Sequence, residues 1–151
     1  MRVLDLFAGV GGLSYGFYKN PNYKLIAANE ILYEMAKAYS LNHPDVLMFN
    51  KDIKDFSLKD FDKDPQIDIV IGGPPCQAYS TVGKRLLNDP RGKLFQEYYR
   101  ILKEFKPSTF LYENVKGLIS MNRRRLLPQI ISLFESLGYK IKYKLLNAAD
   151  Y

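Results

Sequence analysis

The stretch at residues 67–80, IDIVIGGPPCQAYS, constrains the fold of this chain more than any other. Ile67, Ile69, Val70 and Ile71 make an apolar run holding one acid, and Gly-Gly-Pro-Pro stops it. That is the pattern of a buried strand ending in a loop. Pro74 and Pro75 fix their own φ and bias the residue before each toward extended geometry. Cys76, the one cysteine of the sequence, is therefore expected at the carboxyl end of a strand, where open α/β sheets place their ligands. A lone cysteine is more often a small buried apolar residue than a nucleophile. This one sits beside Gln77, Tyr79 and Ser80 rather than in an apolar run, which favours chemistry.

The rest of the chain alternates strand-like and helix-like segments. Strands are expected at 3–7, 24–28, 46–49, 67–71, 109–112 and 139–146, and helices from near Gly12, over 31–41, 94–105 and 126–137. Residues 54–66 read as a polar surface connection, 81–92 as a lid-like segment, and His43 as a helix-end residue. Such alternation predicts an α/β fold with a doubly wound, mostly parallel sheet. At 151 residues, with no internal repeat or linker, the chain reads as one domain. One histidine and one cysteine are too few for a zinc site of those ligands, so no metal is expected. No apolar run approaches the roughly 18 residues of a membrane span, and MRVLDLFAG lacks the features of a signal peptide. The reading is a cytoplasmic protein with no membrane partner. The net charge of +6 attracts polyanions, nucleic acid first among them. Lys84, Arg85, Arg91 and Lys93 gather just after Cys76, and Arg123, Arg124 and Arg125 form a second group.

Three strand ends carry a binding signal. DLFAGVGGL follows a strand and opens a helix, so its backbone N–H groups can face a ligand without side-chain obstruction. Glu30 ends the next strand about 20 residues on, where a carboxylate can accept both hydroxyls of a ribose. Asp52, after the third strand, could accept from an adenine amino group. Together they imply an adenosine-containing cofactor, although the loop alone does not separate a nicotinamide from a sulfonium cofactor. Cys76 and Glu113, at the ends of two further strands, suit addition to an electron-poor pyrimidine, the thiolate as nucleophile and the carboxyl as proton donor. Alone, Glu113 would read as a strand-end acid capping the following helix.

These motifs together resemble the DNA (cytosine-5) methyltransferase family. DLFAGVGGLSYGF is similar to its first cofactor motif, ANEI to the second and KDI to the third. GGPPCQAYS resembles the nucleophile motif, with Tyr79 where Phe is frequent; DPRGKLFQEYYRIL resembles the segment after it, and FLYENV the motif carrying the acid. The resemblance implies a Rossmann-like S-adenosylmethionine-dependent methyltransferase fold and methyl transfer to carbon 5 of cytosine in DNA, through a covalent cysteine adduct, within a restriction-modification system. It implies that Phe7, Gly9, Val10, Gly12, Glu30, Ile31, Asp52, Ile53, Pro75 and Leu94 line the S-adenosylmethionine site. Cys76 carries over as nucleophile, Glu113 as the group meeting ring nitrogen 3, and Asn114 as the brace of the Pro-Cys loop. Gln77, Ser80, Lys84 and Arg85 carry over as DNA contacts, the partner being double-stranded DNA with its target cytosine flipped out.

The family pattern continues past the sixth strand into a Gln-x-Arg-x-Arg motif, a seventh strand and a target-recognition region. None of these follows Asn147-Ala148-Ala149-Asp150-Tyr151 in this sequence. Residues 1–151 are thus expected to be an incomplete catalytic domain, partnered in one version by a second chain with the missing half, and not fully active alone. Two other functions stay open here. One is an RNA cytosine-5 methyltransferase, although CQAYS resembles the DNA branch more closely. The other is a non-catalytic cofactor-binding subunit.

Overall fold

The computed structural model describes residues 1–75 and 94–150. The described residues divide into two compact units, 1–75 with 94–114 and 115–150. The first unit is built on strands β1 (Arg2–Leu6), β2 (Lys24–Asn29), β3 (Leu47–Phe49), β4 (Ile69–Gly72) and β5 (Thr109–Tyr112). They form one sheet in the order β3-β2-β1-β4-β5, and every pairing is parallel. Helices α1 (Tyr15–Lys19), α2 (Tyr33–Asn42) and α3 (Leu94–Phe105) lie between strands in the chain.

A parallel sheet needs cover on both faces, so its inner strands read as continuous apolar runs. All four residues of β4 are buried, as are Val3 to Leu6 of β1. The chain runs outward from β1 to β3, then crosses back to β4 and β5. With right-handed crossovers, α1 and α2 cover one face and the later connections the other. The ring contacts follow that division. Tyr18 meets His43 edge-on, and His43 stacks on Tyr39, joining α1 to α2. Phe56 and Phe61 pack together, against Phe49, and against Phe105 of α3.

Residues 54–66 are therefore more than a surface connection. Two 3-10 turns, Ile53–Asp55 and Leu58–Asp60, present Phe56 to the core with no exposure. Burying one such ring is worth about 1.5–3 kcal/mol, enough to fix an otherwise polar segment. Arg100 of α3 reaches over to it, donating to the carbonyls of Ile53 (2.7 Å) and Phe56 (2.8 Å) while Glu97 and Glu104 hold its other nitrogens.

The pairing of β1 with β2 skips a residue. Val3 lies opposite Leu25 but Leu4 opposite Ala27, so Ile26 is an extra residue and Asn29 comes opposite Leu6. A bulge of this kind moves every later side chain to the other face. It sets which residues of β2 reach the site.

The second unit contains α4 (Gly117–Arg124) and α5 (Leu126–Glu135). Leu118 of α4 and Leu126, Ile130 and Phe134 of α5 are buried. The sixth strand expected at 139–146 is not formed. These residues have irregular backbone, with Tyr143, Leu145 and Leu146 exposed. Alternation allows a strand, but only a paired neighbour satisfies its backbone donors and acceptors. Among the described residues the sheet ends at β5.

Candidate active site at the carboxyl edge of the sheet

The register places the candidate residues in one row. Phe49, Asn29, Leu6, Gly72 and Tyr112 are mutual neighbours across the five strands. One step beyond each lie Asn50, Glu30, Phe7, Gly73 and Glu113. Backbone bonds extend the ladder into this row, from Ala8 N to Asn29 O (3.1 Å), Glu30 N to Phe49 O (3.2 Å) and Glu113 N to Gly72 O (3.0 Å).

On the β1–β2 side the chain leaves β1 through Phe7, whose φ of 54° lies in the left-handed region. A bulky residue persists there only when its surroundings impose it. Gly11, at φ 93°, closes the loop with a bond from its N–H to the Ala8 carbonyl (2.9 Å). A Cβ at Gly11 would run into the imidazole of His43, which is 1% exposed. His43 thus ends α2, as expected, and also supports the glycine loop from behind. Its burial lowers its pKa, an effect partly offset by the Tyr39 carbonyl.

Glu30 is buried, and its carboxylate joins two loops. One oxygen accepts from Gly9 N (2.9 Å) and the other from Leu32 N (2.8 Å). Each carboxylate oxygen has a second lone pair, so these bonds orient the group without exhausting it. Asp52 accepts from Lys54 N (3.0 Å) and caps the 3-10 turn that begins at Ile53. Ile53 is buried, whereas Val10 and Ile31 are exposed apolar residues. A Cβ at Gly9 or Gly12 would meet nothing within 4 Å. Open backbone, an oriented acid and two exposed apolar side chains fit a nucleoside cofactor.

On the β4–β5 side, Glu113 is exposed and lies against Gly73, where an added Cβ would come 2.7 Å from its Oε2. The Asn114 amide nitrogen lies 3.5 Å from the Pro74 carbonyl, a long contact. Pro75 is exposed and Leu94 half-buried. Cys76, Gln77, Ser80, Lys84 and Arg85 lie outside the described residues.

Four residues in or under the site escape the sequence reading. Asp5 of β1 is fully buried, and neither carboxylate oxygen makes a hydrogen bond of good geometry. Burial pushes its pKa up to about 7; the nearby Ser14 and Tyr39 hydroxyls pull it down, and the charge of Glu30 adds to the rise. An acid inside the apolar run VLDLF was the available signal. Asn29, Asn50 and Arg100 gave none, because their roles depend on which strand ends meet. Among the described residues no cluster of three His, Cys, Asp or Glu could hold a metal ion, and no helix is long and apolar enough to cross a membrane.

A parallel sheet in this order, with a glycine loop after β1 and acids after β2, β3 and β5, defines a Rossmann-like domain of the methyltransferase type. Comparison with known proteins agrees. The family model for C-5 cytosine-specific DNA methylase matches residues 1–151, and the chain belongs to that family. It is 45% identical to the type II methyltransferase M.FnuDI of Fusobacterium nucleatum, over 100% of this chain and 43% of that one. It is 38% identical to M.NgoPII of Neisseria gonorrhoeae, over 100% and 44%. Among solved structures it is similar to a candidate DNA modification methyltransferase encoded within an E. coli prophage (TM-score 0.76, 31% identity, 90% of this chain and 38% of that one). The S. pombe Dnmt2 methyltransferase is also similar (TM-score 0.63, 27% identity, 87% and 41%). The chain therefore spans about two-fifths of the length of the relatives it matches.

Proposed function

We propose that this chain is the cofactor-binding and nucleophile-bearing part of a DNA cytosine-5 methyltransferase of a bacterial restriction-modification system. One observation carries the reading beyond family membership. The register sets Glu113, just past β5, beside the Gly-Gly-Pro-Pro loop after β4, its carboxylate against Gly73, and Cys76 follows that loop in the sequence.

In this reading Glu30 takes the ribose hydroxyls and Asp52 the adenine amino group of S-adenosylmethionine. Phe7, Gly9, Val10, Gly12, Ile31, Ile53, Pro75 and Leu94 complete that site, and the bound cofactor supplies the methyl group. Gln77, Ser80, Lys84 and Arg85 contact DNA, and the target cytosine leaves the stack, since its ring edge is out of reach inside a duplex. Carbon 5 of cytosine is a poor nucleophile. Addition of the Cys76 thiolate to carbon 6, with proton donation from Glu113 to ring nitrogen 3, converts the ring to an enamine that is nucleophilic at carbon 5. Asn114 steadies the loop through the Pro74 carbonyl. Once carbon 5 has taken the methyl group, loss of its proton to a base, expulsion of the thiolate from carbon 6 and return of the ring-nitrogen proton to Glu113 restore the aromatic ring.

DNA containing 5-fluorocytosine tests the assignment, because fluorine cannot leave as a proton does and the adduct persists. With S-adenosylmethionine present, the complete enzyme that contains this chain should form a covalent complex through Cys76, and its Cys76→Ala variant should form none while still binding cofactor. Trapping at another residue, or trapping of the alanine variant, overturns the assignment.

A further inference from the structure

The ends of β2 and β3 are tied together by two asparagines that act in opposite directions. Asn29, the last residue of β2, is 2% exposed, and its amide nitrogen donates to the carbonyls of Phe49 (3.1 Å) and Lys51 (3.0 Å). Asn50, just after β3, points its amide nitrogen the other way, to the carbonyls of Glu30 (2.8 Å) and Ile31 (3.1 Å). All four partners are carbonyl oxygens, which can only accept, so the amide orientation is fixed by chemistry. The ladder itself supplies one bond here, from Glu30 N to the Phe49 carbonyl. Beyond it, two peptide segments would otherwise leave the sheet independently.

The residues so held are those that face the proposed cofactor. Asn50 grips the peptides of Glu30 and Ile31. The Glu30 carboxylate in turn holds the N–H groups of Gly9 and Leu32. Asn29 grips the segment that delivers Asp52, which follows Lys51 directly. We infer that Asn29 and Asn50 are positioning residues for nucleoside binding, a reciprocal amide clamp that fixes the spacing between the Glu30 and Asp52 carboxylates. The inference rests on the cofactor reading above and adds the device that sets its geometry.

Asn50 is exposed, so its replacement removes its half of the clamp without opening a core. Asn50→Ala deletes both donors; Asn50→Asp also sets a charge against two carbonyls. Amide hydrogen exchange in the ligand-free protein is the first readout. Gly9 and Leu32 should exchange about tenfold faster or more in either variant, the effect of losing one to two net hydrogen bonds, while amides of β1 and β4 stay unchanged. The second readout is calorimetric titration with S-adenosylhomocysteine, whose affinity should fall about tenfold in Asn50→Ala and further in Asn50→Asp, at a melting temperature close to wild type. Unchanged exchange at Gly9 and Leu32 overturns the clamp, as does unchanged affinity where the wild type binds. A wild-type protein that binds no S-adenosylhomocysteine while the exchange result holds overturns the cofactor reading and, with it, the role of the clamp in binding.

Discussion

The two halves of the sheet edge are built differently. On the β1–β2–β3 side the polar groups that edge the site are largely tied to one another, although buried Asp5 beneath them is not. Glu30 bridges two loops, the asparagines join two strand ends, and His43 fills the space behind the glycine loop. On the β4–β5 side Glu113 is exposed, and among the described residues its carboxylate makes no hydrogen bond. The first half is arranged before any ligand arrives, which lowers the ordering cost of binding. The second half holds its acid by no such ties, which suits the proton donation proposed for Glu113. One substitution type applied to both halves should therefore give opposite outcomes.

The largest effect is expected from Gly11→Ala. The new methyl group meets a buried imidazole stacked on Tyr39, and alanine is strained at a φ of 93°. Backbone strain and overpacking each cost about 1–3 kcal/mol, so unfolding in urea should show a loss of about 2–6 kcal/mol. A loss under about 1 kcal/mol would mean that the bound half is less rigid than its contacts imply.

Asp5 should give the next largest effect, and its sign depends on pH. Its carboxyl has an ordinary pKa of 3.8 and one of about 7 in the folded chain. Between these values the unfolded chain ionises while the folded chain keeps its proton, so this group's contribution to stability falls as pH rises. Over the whole window the loss is about 4 kcal/mol. His43 acts oppositely: with its folded pKa lowered, it costs stability as pH falls below its ordinary value near 6.5. Tyr39 and Ser14, whose hydroxyls face Asp5, stay neutral across this range, and the charge of Glu30 adds to the rise. Denaturation of Asp5→Asn at pH 4, 6 and 8 should show the variant gaining on the wild type as pH rises. A parallel pH dependence in both would place the titration elsewhere.

The contrast between the halves was only partly legible in the sequence. Glu30, Glu113 and the glycine loop stand at the ends of apolar runs, and a parallel sheet brings all such ends to one edge, so their meeting could be read in advance. What each end touches could not. The bulge at Ile26 decides that Asn29 rather than Ala28 lies opposite Leu6, and the asparagine clamp depends on that slip. Phe56 sits in a polar stretch, and its packing on Phe49, Phe61 and Phe105, the last some fifty residues on, shows that it is core. Residues 139–146 show the opposite failure, since alternation marks what a strand requires of its side chains but not whether a neighbour exists to pair with it.

Gly73→Ala on the open half should barely change stability. Gly73 has no left-handed φ among those found, and the one atom its methyl group would crowd is Glu113 Oε2 at 2.7 Å, with the remaining contacts at 3.7 Å. That oxygen is the far end of a flexible, exposed side chain, so the carboxylate can swing aside without disturbing β4 or β5. The expected cost in urea is under about 1 kcal/mol, within the range of ordinary surface changes. The effect should appear in the chemistry instead. With the acid displaced from its place against the loop, covalent trapping by 5-fluorocytosine DNA should slow by about tenfold or more, the low end of what a mispositioned proton donor costs. Affinity for S-adenosylhomocysteine, whose proposed hydrogen-bonding partners Glu30 and Asp52 lie on the other half, should hold. Trapping at the wild-type rate would show that Glu113 does not act from its position against Gly73. A loss of several kcal/mol would show that the open half is as tightly set as the bound one.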